Sequence, residues 1–246
     1  VKNVGILESY FRGFTCVGSV CGYNLGGSIT NCYNTGEVSG RNYIGGVCGS
    51  NNNGCIIADC YSIGEVSGAE GAEYVSGVCG TNEGGIITNC FYLDTEESDT
   101  YEGTAFKTQK QFASGEVAYL LNDGRETMTW YQTIDADTYP ILDNTHDKVY
   151  CGYFHCYDTA VQYTNDSSVS ETIPEHNYEY AATGNTITAS CTMDGCNAGG
   201  TIVISASGKT YDGVAVNATV ENYLDTTTDY STEIVYKDKV GNEVAE

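Results

Sequence analysis

Apolar side chains in the first third of the chain recur at intervals of 27 to 31 residues, far longer than the period of a single helix or strand. The central unit, residues 44–68, reads I-G-G-V-C-G-S-N-N-N-G-C-I-I-A-D-C-Y-S-I-G-E-V-S-G. An earlier copy at 17–40 reads V-G-S-V-C-G-Y-N-L-G-G-S-I-T-N-C-Y-N-T-G-E-V-S-G, and a later one at 75–94 reads V-S-G-V-C-G-T-N-E-G-G-I-I-T-N-C-F-Y-L-D. Each copy has two short apolar runs separated by Gly, Asn and Ser, the residues of tight turns. Self-similarity at this period predicts a solenoid, in which each unit buries its apolar face against the next.

Aligned coils stack identical side chains about 4.8 Å apart. The expected ladders are Ile29, Ile57 and Ile87; Asn31, Asp59 and Asn89; Cys32, Cys60 and Cys90; and Tyr33, Tyr61 and Phe91. Cys21, Cys48 and Cys79 form a second cysteine row. The two-residue strand period places the Ile and Cys sets on opposite faces, although both look buried. A bend, a bulge or a second covering layer is therefore expected.

Residues 1–16 read as the tail of a preceding coil, with Val4 and Ile6 at strand positions. The G-E-V-S-G turns at 36–40 and 64–68 have no counterpart after Cys90, so a capping element is expected to begin there. Phe112, Val117, Leu120 and Leu121 give residues 104–123 a helical stripe. Thr108 with Gln111 makes a capping-box pattern, and Asn122-Asp123-Gly124 a stop. Trp130, Tyr131, Tyr139, Ile141 and Leu142 follow around Pro140, as a block packed on the last coil. After a polar stretch, alternating segments in 185–246 predict short antiparallel strands of a sandwich-like module, with a turn at T-Y-D-G, 210–213. The expected division is solenoid 1–94, cap with one short helix 95–145, linker and Cys loop region 146–184, and an incomplete β-rich module 185–246. The fold class is all-β.

Charge narrows the partners. Ten Lys and Arg against 33 Asp and Glu give a formal net charge of −23. Such a chain has little with which to neutralise phosphates, which argues against nucleic acid or an anionic membrane. Solubility is the ordinary meaning of this acidity; calcium or a cationic partner is the other. No run of 18 apolar residues predicts a membrane span. The chain reads as a segment of a longer protein carrying other domains, so the lack of a visible leader says little about location.

Six of the twelve cysteines occupy repeat-equivalent positions and read as small core residues; Cys16 and Cys55 are outside that pattern. Cys151-x4-Cys156 and Cys191-x4-Cys196 have ligand-like spacing, with His155 and His176 nearby. Disulfides, free thiols and a four-thiolate zinc site are all open for them. The run Asp94, Glu96, Glu97 and Asp99 reads as a solvated loop, since a calcium loop needs spaced oxygens and a sharp glycine turn. Glu37 and Glu65 occupy equivalent turns; a paired-carboxylate mechanism is conceivable there, but surface turns explain them more simply. Tyr10, Tyr23 and Tyr43 are exposed-aromatic candidates for stacking on sugars. No catalytic residues and no cofactor are assigned.

V-G-S-V-C-G with N-C-Y-N-T-G-E-V-S-G, and I-G-G-V-C-G with D-C-Y-S-I-G-E-V-S-G, resemble the GLUG motif, a glycine-rich tandem unit of bacterial surface proteins. The block F-A-S-G-E-V-A-Y-L-L-N-D with W-Y-Q-T-I-D-A-D-T-Y-P-I-L is similar to the segment that often follows such repeats. K-T-Y-D-G-V-A-V-N-A-T-V is similar to glycine-rich all-β modules with a Tyr-Asp-Gly signature. The resemblance implies a right-handed parallel β-helix of about three coils. It also implies a large, adhesin-like protein on the surface or wall of a Gram-positive gut bacterium, with no catalytic residues to carry over. The expected function is a non-enzymatic stalk or adhesive segment that meets a host glycan, mucin or surface protein. A carbohydrate- or mucin-binding module and a carbohydrate-active β-helix enzyme (a polysaccharide lyase or hydrolase) are the alternatives.

Overall fold

The computed structural model describes residues 1–93, 101–122, 127–206, 218–223 and 240. These form two compact units, one comprising 1–152 with 161–169 and the other 153–160 with 170–246. The expected turn at 210–213 and the last expected strand, T-E-I-V-Y-K-D, lie outside the described residues.

The first unit is a parallel β-solenoid of about three coils, as the repeat predicts. Successive coils contribute strands to three parallel sheets. One sheet stacks Cys21–Asn24, Cys48–Asn52 and Cys79–Glu83, pairing Cys21 with Cys48 and Cys48 with Cys79. A second aligns Ile29, Ile57 and Ile87, and also Tyr33, Tyr61 and Phe91. The third aligns Val17, Ile44 and Val75. The strand Lys2–Ile6 sets Val4 beside Cys32, so residues 1–16 do continue the stack on that side.

The conflict between the Ile and Cys faces is resolved by a corner. Asn31, Asp59 and Asn89 have φ of 51°, 53° and 49°, and Asn3 has 58°. This left-handed conformation suits Asn and Asp better than most side chains. One such residue between Ile29 and Cys32 turns the chain, so both side chains enter the same interior. That core holds the three Ile, both cysteine rows except half-buried Cys21, and Val47 and Val78. Cys32, Cys48, Cys60, Cys79 and Cys90 are fully buried free thiols, consistent with their reading as small core residues.

Buried amides tie the coils together. Asn24 Nδ2 donates to Asn51 Oδ1 at 2.8 Å, and Asn51 Nδ2 to Asn82 Oδ1 at 2.9 Å. Gly45 permits the tight approach nearby: a Cβ there would lie 2.0 Å from the Cys48 carbonyl oxygen.

The aromatic ladder faces away from this core and is buried by a second layer. Tyr33, Tyr61 and Phe91 pack with Phe112, Val117, Leu121 and Trp130. The expected block on the last coil therefore covers a flank across three coils. The coil end is extended separately by Thr104–Phe106, which pairs in parallel with Cys90–Tyr92. Instead of one helix there are two, α1 (Gln109–Ala113) and α2 (Glu116–Asn122). Gly115 between them has φ +87°, which ends the first helix. The Thr108–Gln111 capping box is present. Asn122 ends α2 and clamps the following chain, accepting from the Thr129 and Trp130 amides and donating to the Trp130 carbonyl.

In the second unit, Tyr178–Thr183, Thr186–Cys191, Gly199–Ala206 and Ala218–Asn222 form a four-stranded antiparallel sheet in sequence order. Its first strand lies within the stretch read from sequence as a linker.

Candidate metal centre

The second unit gathers four ligand-type side chains at one end of its first hairpin. The strand register sets Tyr178 opposite Cys191, which brings His176, two residues before Tyr178, to the turn that follows Cys191. That turn folds back on itself: the Cys191 amide donates to the Ala198 carbonyl at 3.0 Å, and the Cys196 amide to the Met193 carbonyl at 3.1 Å. Gly195, with φ +77°, supplies the left-handed step. Cys156 arrives on a separate loop. Its amide donates to Met193 Sδ at 3.2 Å, and the neighbouring Tyr157 hydroxyl donates to the Asp194 carbonyl at 3.2 Å.

The resulting cluster is compact. The ligand atoms of Cys156, His176, Cys191 and Cys196 all lie within 4.8 Å of one another. Cys156 Sγ is 3.7 Å from Cys191 Sγ and 3.5 Å from Cys196 Sγ. Cys196 Sγ is 3.5 Å from His176 Nδ1 and accepts from the Ala198 amide at 3.4 Å. Cys156 is buried, Cys191 and Cys196 are half-buried, and His176 is exposed.

The environment treats the thiols unequally. Burial, followed by hydrogen bonding to Cys196 and Cys191, pushes the Cys156 thiol up to about 12. Cys191 is drawn down to about 6, chiefly by the Met193 backbone amide, with His176 acting in the same direction. The same cluster thus raises one thiol by burial and lowers another by backbone hydrogen bonding.

This grouping differs from the one expected from spacing. Cys151 belongs to the first unit, where it sits opposite Tyr163 in a two-stranded ladder. His176 joins Cys156, Cys191 and Cys196 instead. His155 is engaged elsewhere, with Nδ1 3.4 Å from Asp158 Oδ1 and its ring stacked on Tyr157. All twelve cysteines are unpaired in the structure.

Other candidates sit on the solenoid. Tyr10 is exposed, with its hydroxyl 3.3 Å from Ser39 Oγ, and exposed Tyr23 accepts from Asn52 Nδ2 at 2.7 Å. Tyr43 is half-buried and stacks on Tyr74, the centroids 5.2 Å apart and the planes at 20°. Tyr74 was missing from the expected set, yet it follows Tyr43 by 31 residues, the separation of Cys48 and Cys79. Cys16, Tyr43 and Tyr74 occupy equivalent corners with φ of 51°, 58° and 59°. Glu37 and Glu65 are exposed on adjacent coils. The acidic run at Asp94, Glu96, Glu97 and Asp99, the place considered for calcium, lies outside the described residues.

The GLUG motif model matches residues 15–39. Those residues make one circuit of the solenoid, passing through all three parallel sheets. The first unit is thus a β-solenoid with one coil that matches the GLUG motif and further copies stacked on it in register. No curated protein and no solved structure matches the chain.

Proposed function

We propose that the chain is a non-enzymatic, extracellular segment of a cell-surface protein, serving as a stalk or adhesive surface. The observation that carries this reading is the Tyr43–Tyr74 stack on successive coils. A bulky side chain in the left-handed region is strained, and such strain concentrates at functional positions. Here it holds two stacked rings at the coil surface, Tyr43 half-buried and Tyr74 exposed, an aromatic patch of the kind that the apolar face of a sugar packs against. The partner is a host glycan, a mucin glycan or a glycosylated surface protein. The repeat supports the stalk role, because each added coil extends the stack without changing its cross-section.

A glycan and mucin array probed with the purified chain, with and without calcium, tests the adhesive part. Discrete hits should weaken roughly 2- to 10-fold in Tyr74→Ala, the equivalent of ~0.5–1.5 kcal/mol for one aromatic contact. A blank array in both conditions removes the adhesive role and leaves the spacer. Release of unsaturated or reducing-end products from a polysaccharide panel would overturn the non-enzymatic reading.

A further inference from the structure

Cys156, His176, Cys191 and Cys196 are the group among the described residues whose ligand atoms converge closely enough to hold one metal ion. Three of the six separations among these atoms match the edges of a coordination tetrahedron, and all six lie within 4.8 Å. With zinc–sulfur bonds of ~2.3 Å and zinc–nitrogen bonds of ~2.0–2.1 Å, the edges of such a tetrahedron are about 3.8 Å between sulfurs and about 3.5 Å between sulfur and nitrogen. The observed Cys156–Cys191 and Cys156–Cys196 separations of 3.7 and 3.5 Å, and the Cys196–His176 separation of 3.5 Å, fall close to these edges.

Three sulfurs cannot all pair as disulfides within the cluster; one is always left over. A disulfide also has no use for an imidazole nitrogen at the fourth corner. Three soft sulfurs and one imidazole select a borderline-soft ion such as zinc over calcium or magnesium, which need oxygen ligands. Four protein ligands fill a tetrahedral shell, which is the pattern of a structural site. The Ala198 amide donating to Cys196 Sγ orients that ligand in the manner of an outer-shell partner.

The need for such a site is visible in the same unit. Among its described residues the buried apolar side chains are Cys156 and Ala189 alone. Where the described residues bury so few apolar side chains, a staple such as a metal or a disulfide supplies what the core does not. The cluster joins three separate segments: the loop carrying Cys156, the approach to the first strand at His176, and the turn holding Cys191 and Cys196.

We propose that Cys156, His176, Cys191 and Cys196 form a structural Cys3His zinc site that holds the second unit together. The site excludes Cys151, which distinguishes it from a four-thiolate site built on the two x4 pairs.

The test uses the full chain, reduced and then freed of reductant without oxygen, titrated with cobalt(II) and then zinc. The expected result is uptake of one equivalent of cobalt with the visible bands of a tetrahedral thiolate complex, displaced by zinc. Cys151→Ser should titrate like the parent, whereas Cys196→Ser and His176→Ala should lose the bands. His176→Cys should restore them with stronger sulfur-to-cobalt charge transfer, which a merely structural role for His176 would not produce. Trp130 fluorescence checks that the first unit stays folded in each variant. The proposal is overturned by no uptake, by equal uptake in a Cys191→Ser/Cys196→Ser double variant, or by loss of the bands in Cys151→Ser. Peptide mapping of the untreated protein that finds Cys191 and Cys196 joined by a disulfide would overturn it too.

Discussion

In the solenoid unit, Ile29, Ile57, Val47, Val78, Cys60 and Tyr61 are at most 1% exposed, each stacked near its counterpart in a neighbouring coil. In the second unit the strand Tyr178–Thr183 has no buried residue, and the strand Thr186–Cys191 buries only Ala189. Both units contain strands paired in regular hydrogen-bonded ladders. Hydrogen-bonded strands therefore do not account for the difference; the number of side chains removed from water does. A repeat generates that burial automatically, because each coil covers the next. Among the described residues, the four-stranded antiparallel sheet of the second unit has no such neighbour to cover its faces.

This comparison breaks most sharply at Phe112, which α1 packs against Tyr61 within the buried aromatic flank, the ring centroids 5.5 Å apart. Phe112→Ala should cost about 3–5 kcal/mol, as expected for emptying a buried ring site. The protein has a single tryptophan, Trp130, in the same cluster, so urea unfolding followed by its fluorescence reads this unit directly. A shift below ~1 kcal/mol would mean that the helical layer is not part of the solenoid core. Asn51→Ala should cost less, about 1–3 kcal/mol, by leaving Asn24 Nδ2 and Asn82 Oδ1 without their partner. The same denaturation curve tests it, and an unchanged midpoint would show that water replaces the amide. At the other extreme, Ile204→Ala in the second unit should change stability by no more than ~0.5 kcal/mol, because Ile204 is 41% exposed. A loss of 2 kcal/mol in far-ultraviolet circular dichroism melts would reveal a hidden core and remove the contrast between the units.

Most of the solenoid could be read from residue spacing. Ile, Cys and aromatic positions repeat, and the structure aligns them as that repetition requires. The corner was harder to see, because parity along a strand placed Ile29 and Cys32 on opposite faces. The signal was present at Asn31, Asp59 and Asn89, in a side-chain type that tolerates the left-handed region. Gly115 marked the break between α1 and α2 just as locally. The aromatic flank is different in kind: its cover comes from Phe112 and Trp130, and nothing along the chain says which face a later segment will shield.

The cluster of Cys156, His176, Cys191 and Cys196 was only half legible. Two cysteine pairs at matched spacing suggested a symmetrical set, and local spacing had no means of separating Cys151 from Cys156. Strand pairing decides the membership. Placing Tyr178 opposite Cys191 carries His176 to the cysteine turn, a long-range consequence of register. Tyr74 was missed for a simpler reason. The copies are spaced 27 and then 31 residues apart, and the second interval hides the match with Tyr43.

The in-register coils have a mechanical meaning beyond stability. Each coil adds about 4.8 Å to the stack, the distance between neighbouring strands. Yet the 27 residues separating Cys21 from Cys48 hold roughly 95 Å of chain when drawn out fully, at up to ~3.6 Å per residue. A coil peeled away under tension therefore returns roughly twenty times the length it occupied. The helical layer that covers the aromatic flank clasps three coils at once, so this length is held back until that layer is lifted.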